Sequence, residues 1–262
     1  MVAIYPEHHS RSARWSRRFA VLAVLLFVTA GAAHRFDRLP TETFLLVIGV
    51  VALLVLVSLI AFAVGFQRMW TRGNKVGSNL VVAALFLVGV LVPIGVLAYH
   101  GATTPMLYDI STDLQEQPLL GRGSKRTEFM NLPHAMTAEE IAAHRAGYPD
   151  LVGHSYALPG ARMREIITTL VTERGWEITR PFPFPSGPAA TLDAVAGTFL
   201  LGFPSDVAIR VADEDTATFV DMRSASRYGR HDFGDNAMRI KRFFADLDAA
   251  VLADARAPQP AQ

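Results

Sequence analysis

The residues richest in chemistry fall in one stretch, Asp221-Met222-Arg223-Ser224-Ala225-Ser226-Arg227-Tyr228-Gly229-Arg230-His231-Asp232-Phe233-Gly234-Asp235-Asn236, which runs on to Arg239-Ile240-Lys241-Arg242-Phe243. Residues 221–242 hold six Lys/Arg against three Asp, a local excess of cations. Arg223, Arg227, Arg230 and Arg239 supply guanidinium forks, Ser224 and Ser226 hydroxyls, and His231 an imidazole. A glycine-bearing loop that opens a helix adds free N–H groups, and together these are the donors an anion needs. The same residues also support an arrangement without a ligand. In it Asp221, Asp232 and Asp235 neutralise the arginines, Asp232 or Asp235 caps the helix, and Gly234 and Asn236 shape its start. The sequence leaves both readings open.

Other chemistries find less support. Ser226, His231 and Asp232 are eligible for a triad, but residues so close along one loop rarely converge, and no Gly-x-Ser-x-Gly elbow occurs. His134, Glu140, His144 and His154 lie near one another in sequence, and Glu140 and His144 share a helix face at i, i+4. That spacing matches no zinc motif, so no metal is expected. No cofactor is expected either, because a glycine-rich phosphate loop is missing. Without cysteine the chain has no thiolate nucleophile, iron–sulfur ligand or disulfide. No catalytic residue is assigned, and a noncatalytic role is favoured over an enzyme.

The elements that must position these residues divide the chain sharply. Hydrophobic residues make up 51% and mean hydropathy is +0.26, too apolar for a soluble domain of this length. Residues 1–100 carry nine Lys/Arg against three acids, and the remainder sixteen against twenty-one. A basic, apolar first part followed by an acidic second part predicts a membrane anchor carrying one folded domain, with the lipid bilayer as a partner and nucleic acid excluded. Three uncharged spans occur. Phe19–His34 would reach only about 24 Å as a helix, short of a core of about 30 Å. It reads either as a first transmembrane helix or as a signal peptide ending at Ala30-Gly31-Ala32. Phe44–Phe66 is long enough to cross with tilt. Leu80–Tyr99 contains Pro93 and Gly95, which should kink or loosen it. An Ala61/Gly65 pair has the small-xxx-small spacing that admits another helix.

Arg11, Arg14, Arg17 and Arg18 precede the first span, and Arg68, Arg72 and Lys75 lie between the second and third. By contrast, Arg35 and Arg38 share their loop with Asp37 and Glu42, and no Lys or Arg occurs from Gly101 to Gly121, so the positive-inside rule puts the N-terminus in the cytoplasm and everything after Tyr99 outside.

Beyond the spans, residues 101–131 read as a tether with one short strand, bearing a basic patch at Arg122, Lys125 and Arg126. Thr137 and Glu140 have capping-box spacing for a short helix, and a longer helix runs from Gly160 to Arg174 with Gly175 as its stop. Strands are predicted at 176–179, 191–201, 207–211 and 216–223, with Asp213-Glu214-Asp215 as a hairpin turn. Pro181, Pro183, Pro185 and Pro188 stiffen the loop before the second of these. Ile240, Phe243, Phe244, Leu247 and Val251 form the apolar stripe of a last helix, 236–252. The order predicts a multi-pass α-helical membrane region followed by an α+β two-layer domain, its antiparallel sheet carrying both longer helices on one face.

Asp206-Val207, Ile209-Arg210 and Asp221-x-Arg223-Ser224-x-Ser226-Arg227-x-Gly229-Arg230-x-Asp232-x-Gly234-x-Asn236-x-x-Arg239-Ile240, with Asp109-Ile110-Ser111-Thr112-Asp113 upstream, resemble the bacterial family catalogued as domain of unknown function 1499. The resemblance covers most of residues 106–250 and departs only where Gln117-Pro118 replaces a frequent double proline. It implies no catalytic residue or ligand. The expected organisation is a basic cytoplasmic segment 1–18 and a transmembrane region 19–100 with helices about 19–34, 44–66 and 80–99. A tether 101–131, an exterior domain 132–252 and a disordered tail 253–262 follow. The expected setting is the bacterial cytoplasmic membrane with the domain on the periplasmic side, where an anionic envelope ligand or a membrane-protein partner would meet it. Reporter fusions test the topology: alkaline phosphatase fused after residue 110 should be active and after residue 74 inactive, and a well-expressed but inactive fusion at 110 would overturn it.

Overall fold

A computed structural model of the chain describes residues 10–72, 78–121, 126–183, 187, 189–214 and 217–256. It divides into two compact units, Met1–Tyr99 and His100–Gln262.

In the first unit three helices, α1 (Arg11–Arg35), α2 (Thr41–Arg72) and α3 (Asn79–Thr103), are long and apolar enough to cross a membrane. Their apolar bodies lie where the sequence places them, but their ends do not. α1 begins eight residues before Phe19, because Ser10 caps the Ala13 N–H and the Arg/Ser/Ala segment continues the helix. The arginines of the expected segment 1–18 therefore ride on the first turns of α1, whose 25 helical residues reach about 37 Å although the uncharged span within it stays about 24 Å long. Helix α3 runs on through Pro93. Lys75 lies outside the described residues.

Small residues make the seam between α1 and α2. Ala13, Ser16, Ala20 and Ala23 are buried on α1, as are Val51, Val55, Ser58 and Gly65 on α2. Ser16 Oγ donates to Ser58 O at 3.0 Å and Ser58 Oγ donates to Ser16 O at 2.9 Å, so each hydroxyl satisfies itself on the facing backbone. At the opposite end of the seam His34 stacks on Phe44, with centroids 4.5 Å apart. Ala83, Leu87 and Val90 of α3 complete the apolar cluster. Of the small-xxx-small pair, Gly65 meets α1: a Cβ there would stand 3.2 Å from Ala13 N and 3.3 Å from a Leu80 methyl.

The second unit contains β1 (Asp109–Ser111), α4 (Ala138–Gly147), β2 (His154–Tyr156), α5 (Gly160–Glu173), β3 (Glu177–Arg180), β4 (Ala189–Gly197), β5 (Pro204–Glu214), β6 (Ala217–Ser226) and α6 (Asp235–Arg256). Its sheet is antiparallel in the order β1-β6-β5-β4-β3, and β2 shares the β1 edge of β6. This is the predicted α+β arrangement. Ile110, Val207, Ile209, Val211, Val220 and Met222 point to one face, where Met163 and Ile167 of α5 and Ile240, Phe243 and Leu247 of α6 cover them. Thr137 and Glu140 form the capping box, and Gly175 takes the left-handed conformation (φ 67°) that stops the helix before it.

Several boundaries are corrected. β1 is an edge strand of the sheet and the compact unit begins at His100, so the described residues 101–121 and 126–131 belong to the folded unit. β4 ends at Gly197, four residues short of the expected strand, because Thr198–Phe203 closes a turn through Gly202 in a left-handed conformation. Asp213 and Glu214 belong to β5, and Asp215 lies outside the described residues, as do Pro185, Pro188, Arg122 and Lys125. Helix α6 continues to Arg256, so 253–256 is helical, while 257–262 lies outside the described residues.

Overfilling the seam should cost more than altering the lipid-facing surface. Gly65→Leu should destabilise the helix pair by about 1–3 kcal/mol, whereas Gly49→Leu, with open space around it, should be near neutral. Thermal aggregation of the full chain in detergent, read for both variants against wild type, checks this, and equal midpoints would contradict it.

Candidate functional site

The predicted anion site does not form one cluster, because most of it is strand. Residues 221–226 belong to β6, and the two-residue repeat of a strand sends alternate side chains to opposite faces of the sheet. Arg223 falls on the face without helices and Ser224 on the helix-covered face. Only Arg227, Arg230 and His231 lie in the loop between β6 and α6.

On the helix-free face the charges pair. Arg223, 3% exposed, donates from Nε and Nη2 to the two oxygens of Asp109 at 3.0 and 2.7 Å. Its remaining N–H groups reach Pro118 O at 3.3 Å and His134 O at 2.6 Å. Arg210 holds Asp221 (2.6 Å), Asp113 (2.7 Å) and Glu116 O (2.8 Å), and Thr112 Oγ1 donates to the other Asp221 oxygen at 3.1 Å. Arg227, 8% exposed, donates twice to Asp206 Oδ1 (2.9 and 2.8 Å) while Arg126 takes Oδ2. The ligand-free arrangement of the sequence is therefore right in kind and wrong in partners: neither Asp221 nor Asp232 pairs with Arg223 or Arg227. Burial pushes the carboxyls of Asp109 and Asp221 above the usual range, with Arg223 and Arg210 respectively pulling the other way. Desolvation thus outweighs attraction, as buried ion pairs require.

The helix-covered face holds a second, smaller network. Asn236, fully buried in the first turn of α6, accepts from Ser224 Oγ at 2.8 Å and donates to Tyr108 O at 2.9 Å and Ser226 Oγ at 3.0 Å. Arg239, 8% exposed, donates to Ser224 Oγ at 3.0 Å and pairs with Asp235. Its burial lowers the guanidinium pKa, which the Asp235 charge opposes. Asp232 caps α6 by accepting from Gly234 N and Asn236 N, each at 2.9 Å. Gly234 (φ 81°) permits the turn, which also holds Phe233 left-handed (φ 55°). His231 Nδ1 accepts from Phe233 N at 2.9 Å, which assigns the proton to Nε2, 3.3 Å from Gly101 O. Arg230 is exposed.

The histidine cluster also disperses. His134 contacts Glu140 at 3.1 Å and Tyr108 OH at 3.0 Å, and His154 contacts Asp248 at 3.3 Å. His144 is buried apart from both against Tyr148. Burial lowers its pKa, partly offset by the nearby Ser111 backbone, and pushes the Tyr148 hydroxyl up to about 12. Among the described residues no group of three or more His, Asp or Glu is placed to hold a metal.

Sequence reasoning missed Asp109 and Asp206 as the partners of Arg223 and Arg227, and Arg210 as the partner of Asp221. The signal was present as alternation: Asp206, Ala208 and Arg210 interleave with Val207, Ile209 and Val211, and Asp221 and Arg223 with Val220 and Met222. An α+β unit whose sheet buries helices on one face and Arg–Asp pairs on the other, preceded by three membrane-length helices, is the class this chain represents. It belongs to the family described as protein of unknown function (DUF1499), whose family model matches residues 110–247, from β1 into α6. No curated protein matches the chain.

The pairing ranks the arginines. Arg223→Ala leaves Asp109 buried without its cation and should destabilise by about 3–5 kcal/mol. Arg227→Ala should cost less because Arg126 still holds Asp206, and the exposed Arg230→Ala should stay within about ±0.5 kcal/mol. Denaturant midpoints of the three full-chain variants, with hydrogen exchange locating the change in the second unit, give the order, and three wild-type midpoints would refute it.

Proposed function

We propose that this chain is a noncatalytic protein of the bacterial cytoplasmic membrane that holds its α+β unit on the exterior side and binds a protein partner through that unit's surface. The observation that carries this reading is the internal neutralisation of the candidate anion-binding arginines. Arg223, Arg227 and Arg239 spend their N–H groups on Asp109, Asp206, Asp235 and backbone oxygens, so they are not available to a substrate. His231 is likewise engaged through both ring nitrogens, which removes the best candidate acid or base of an envelope enzyme.

What the unit offers to solvent lies beside this lattice. Asn131 donates from its backbone N–H to Arg227 O at 2.7 Å and from Nδ2 to Ser226 O at 2.9 Å and Gly229 O at 2.7 Å. It thereby fixes two apolar neighbours, Phe129 (68% exposed) and Leu132 (71% exposed), near the loop that bears the exposed Arg230. Ordered apolar side chains next to a cation form a surface for a protein with an apolar, acidic patch. A photocrosslinking residue at Phe129 or Leu132 in native membranes should give a discrete protein adduct that Arg230→Glu weakens. Adducts at neither position, or adducts indifferent to that charge reversal, would overturn the reading.

A further inference from the structure

Many arginines of the second unit are paired with carboxylates, whereas Arg14, Arg17 and Arg18 of the first form no salt bridge among the described residues. Helix α1 turns Ala13, Ser16, Ala20 and Ala23 to α2, which leaves Arg14, Arg17, Arg18, Val21, Leu22 and Leu25 along another face at i, i+3, i+4, i+7, i+8 and i+11. These six residues and Asn79, at the start of α3, line a groove of about 480 Å³. Arg17 reaches Asn79 Oδ1 at 3.4 Å and Arg18 lies 5.0 Å from the Trp15 ring centroid. Among the described residues no acidic side chain lines the groove and none of its three arginines forms a salt bridge. Its mouth is thus cationic, whereas Leu22 and Leu25, 50% and 56% exposed, make its lower wall apolar. From Arg14 to Leu25 the helix rises about 16 Å, enough to pass from headgroup depth into hydrocarbon.

We propose that this groove binds an anionic phospholipid, its phosphodiester on the guanidinium forks of Arg14 and Arg17 and an acyl chain along Val21, Leu22 and Leu25. Planar guanidinium groups match phosphate oxygens geometrically, and a basic pocket between membrane helices is the setting in which headgroup charge is recognised. The acyl wall selects a lipid over a free phosphate. Trp15, half exposed beside the arginines, sits where an aromatic ring favours the interface. The proposal rests on the reading that α1 stays in the membrane, and carbonate extraction of the same preparation tests that reading separately.

Native mass spectrometry of the full chain in detergent, titrated with phosphatidylglycerol and with phosphatidylcholine of the same acyl chains, decides the matter. Phosphatidylglycerol should bind at about tenfold lower concentration. Arg14→Gln/Arg17→Gln should abolish that preference, and Arg68→Gln/Arg72→Gln should keep it. Because losing positive charge can disturb insertion, Val21→Trp offers a second test, since it fills the groove below the arginines and should also remove the preference. Equal binding of the two lipids by the wild-type chain, a preference that survives both groove variants, or displacement of the lipid by glycerol 3-phosphate would overturn the proposal.

Discussion

The pairing of Arg223 with Asp109 is the contact on which much of the second unit depends. Asp109 comes from a three-residue strand that could not hold its place on backbone hydrogen bonds alone, and Arg223 comes from the longest-range ladder of the sheet. A bidentate pair between them fixes the register of β1, and the two spare guanidinium N–H groups tie down Pro118 and His134. Segments on both sides of residues 122–125 are thereby strapped across the sheet. Arg210 does the same farther along, drawing Asp113 and Glu116 toward Asp221.

Such an arrangement contributes more to uniqueness than to stability. The raised carboxyl pKa of Asp109 and Asp221 records that desolvation exceeds the attraction of their partners. Apolar residues could cover the face at less cost, but they would not discriminate among positions of the covering loops, whereas a guanidinium fork accepts few geometries. A small apolar contact, Leu120 with Ala208 and Ala225, supplements the polar one on this face. The helix-covered face reverses the proportion, with a large hydrocarbon core and a small buried polar network of Ser224, Asn236 and Arg239, in which the side-chain oxygen and nitrogen of Asn236 are both hydrogen-bonded.

The first unit meets its constraint differently. In its α1–α2 seam Ser16 and Ser58 bond to each other's backbone, and close approach comes from alanines and Gly65 instead of interdigitated leucines. Large apolar side chains such as Leu46, Leu53 and Val81 are left on the outside.

Periodicity alone carried much of this molecule into view. Hydropathy marked the bodies of α1, α2 and α3, the stripe from Ile240 to Val251 marked α6, and Val207, Ile209 and Val211 marked β5, because burial on one side imposes a repeat on the sequence. Helix ends were less legible: the arginines before Phe19 carry charge and helix propensity together, and only the cap at Ser10 decides where α1 begins. The candidate site was legible in composition and not in geometry. Arg223, Ser224, Arg227 and Asn236 were visible as a polar cluster, but which face of the sheet the strand residues occupy follows from the register of β6, and the aspartates that Arg223 and Arg227 meet come from other strands, Asp109 of β1 and Asp206 of β5. Local sequence determines which side chains can pair; the tertiary fold decides which do, since electrostatic partners are chosen by distance in space and desolvation is set by what covers them.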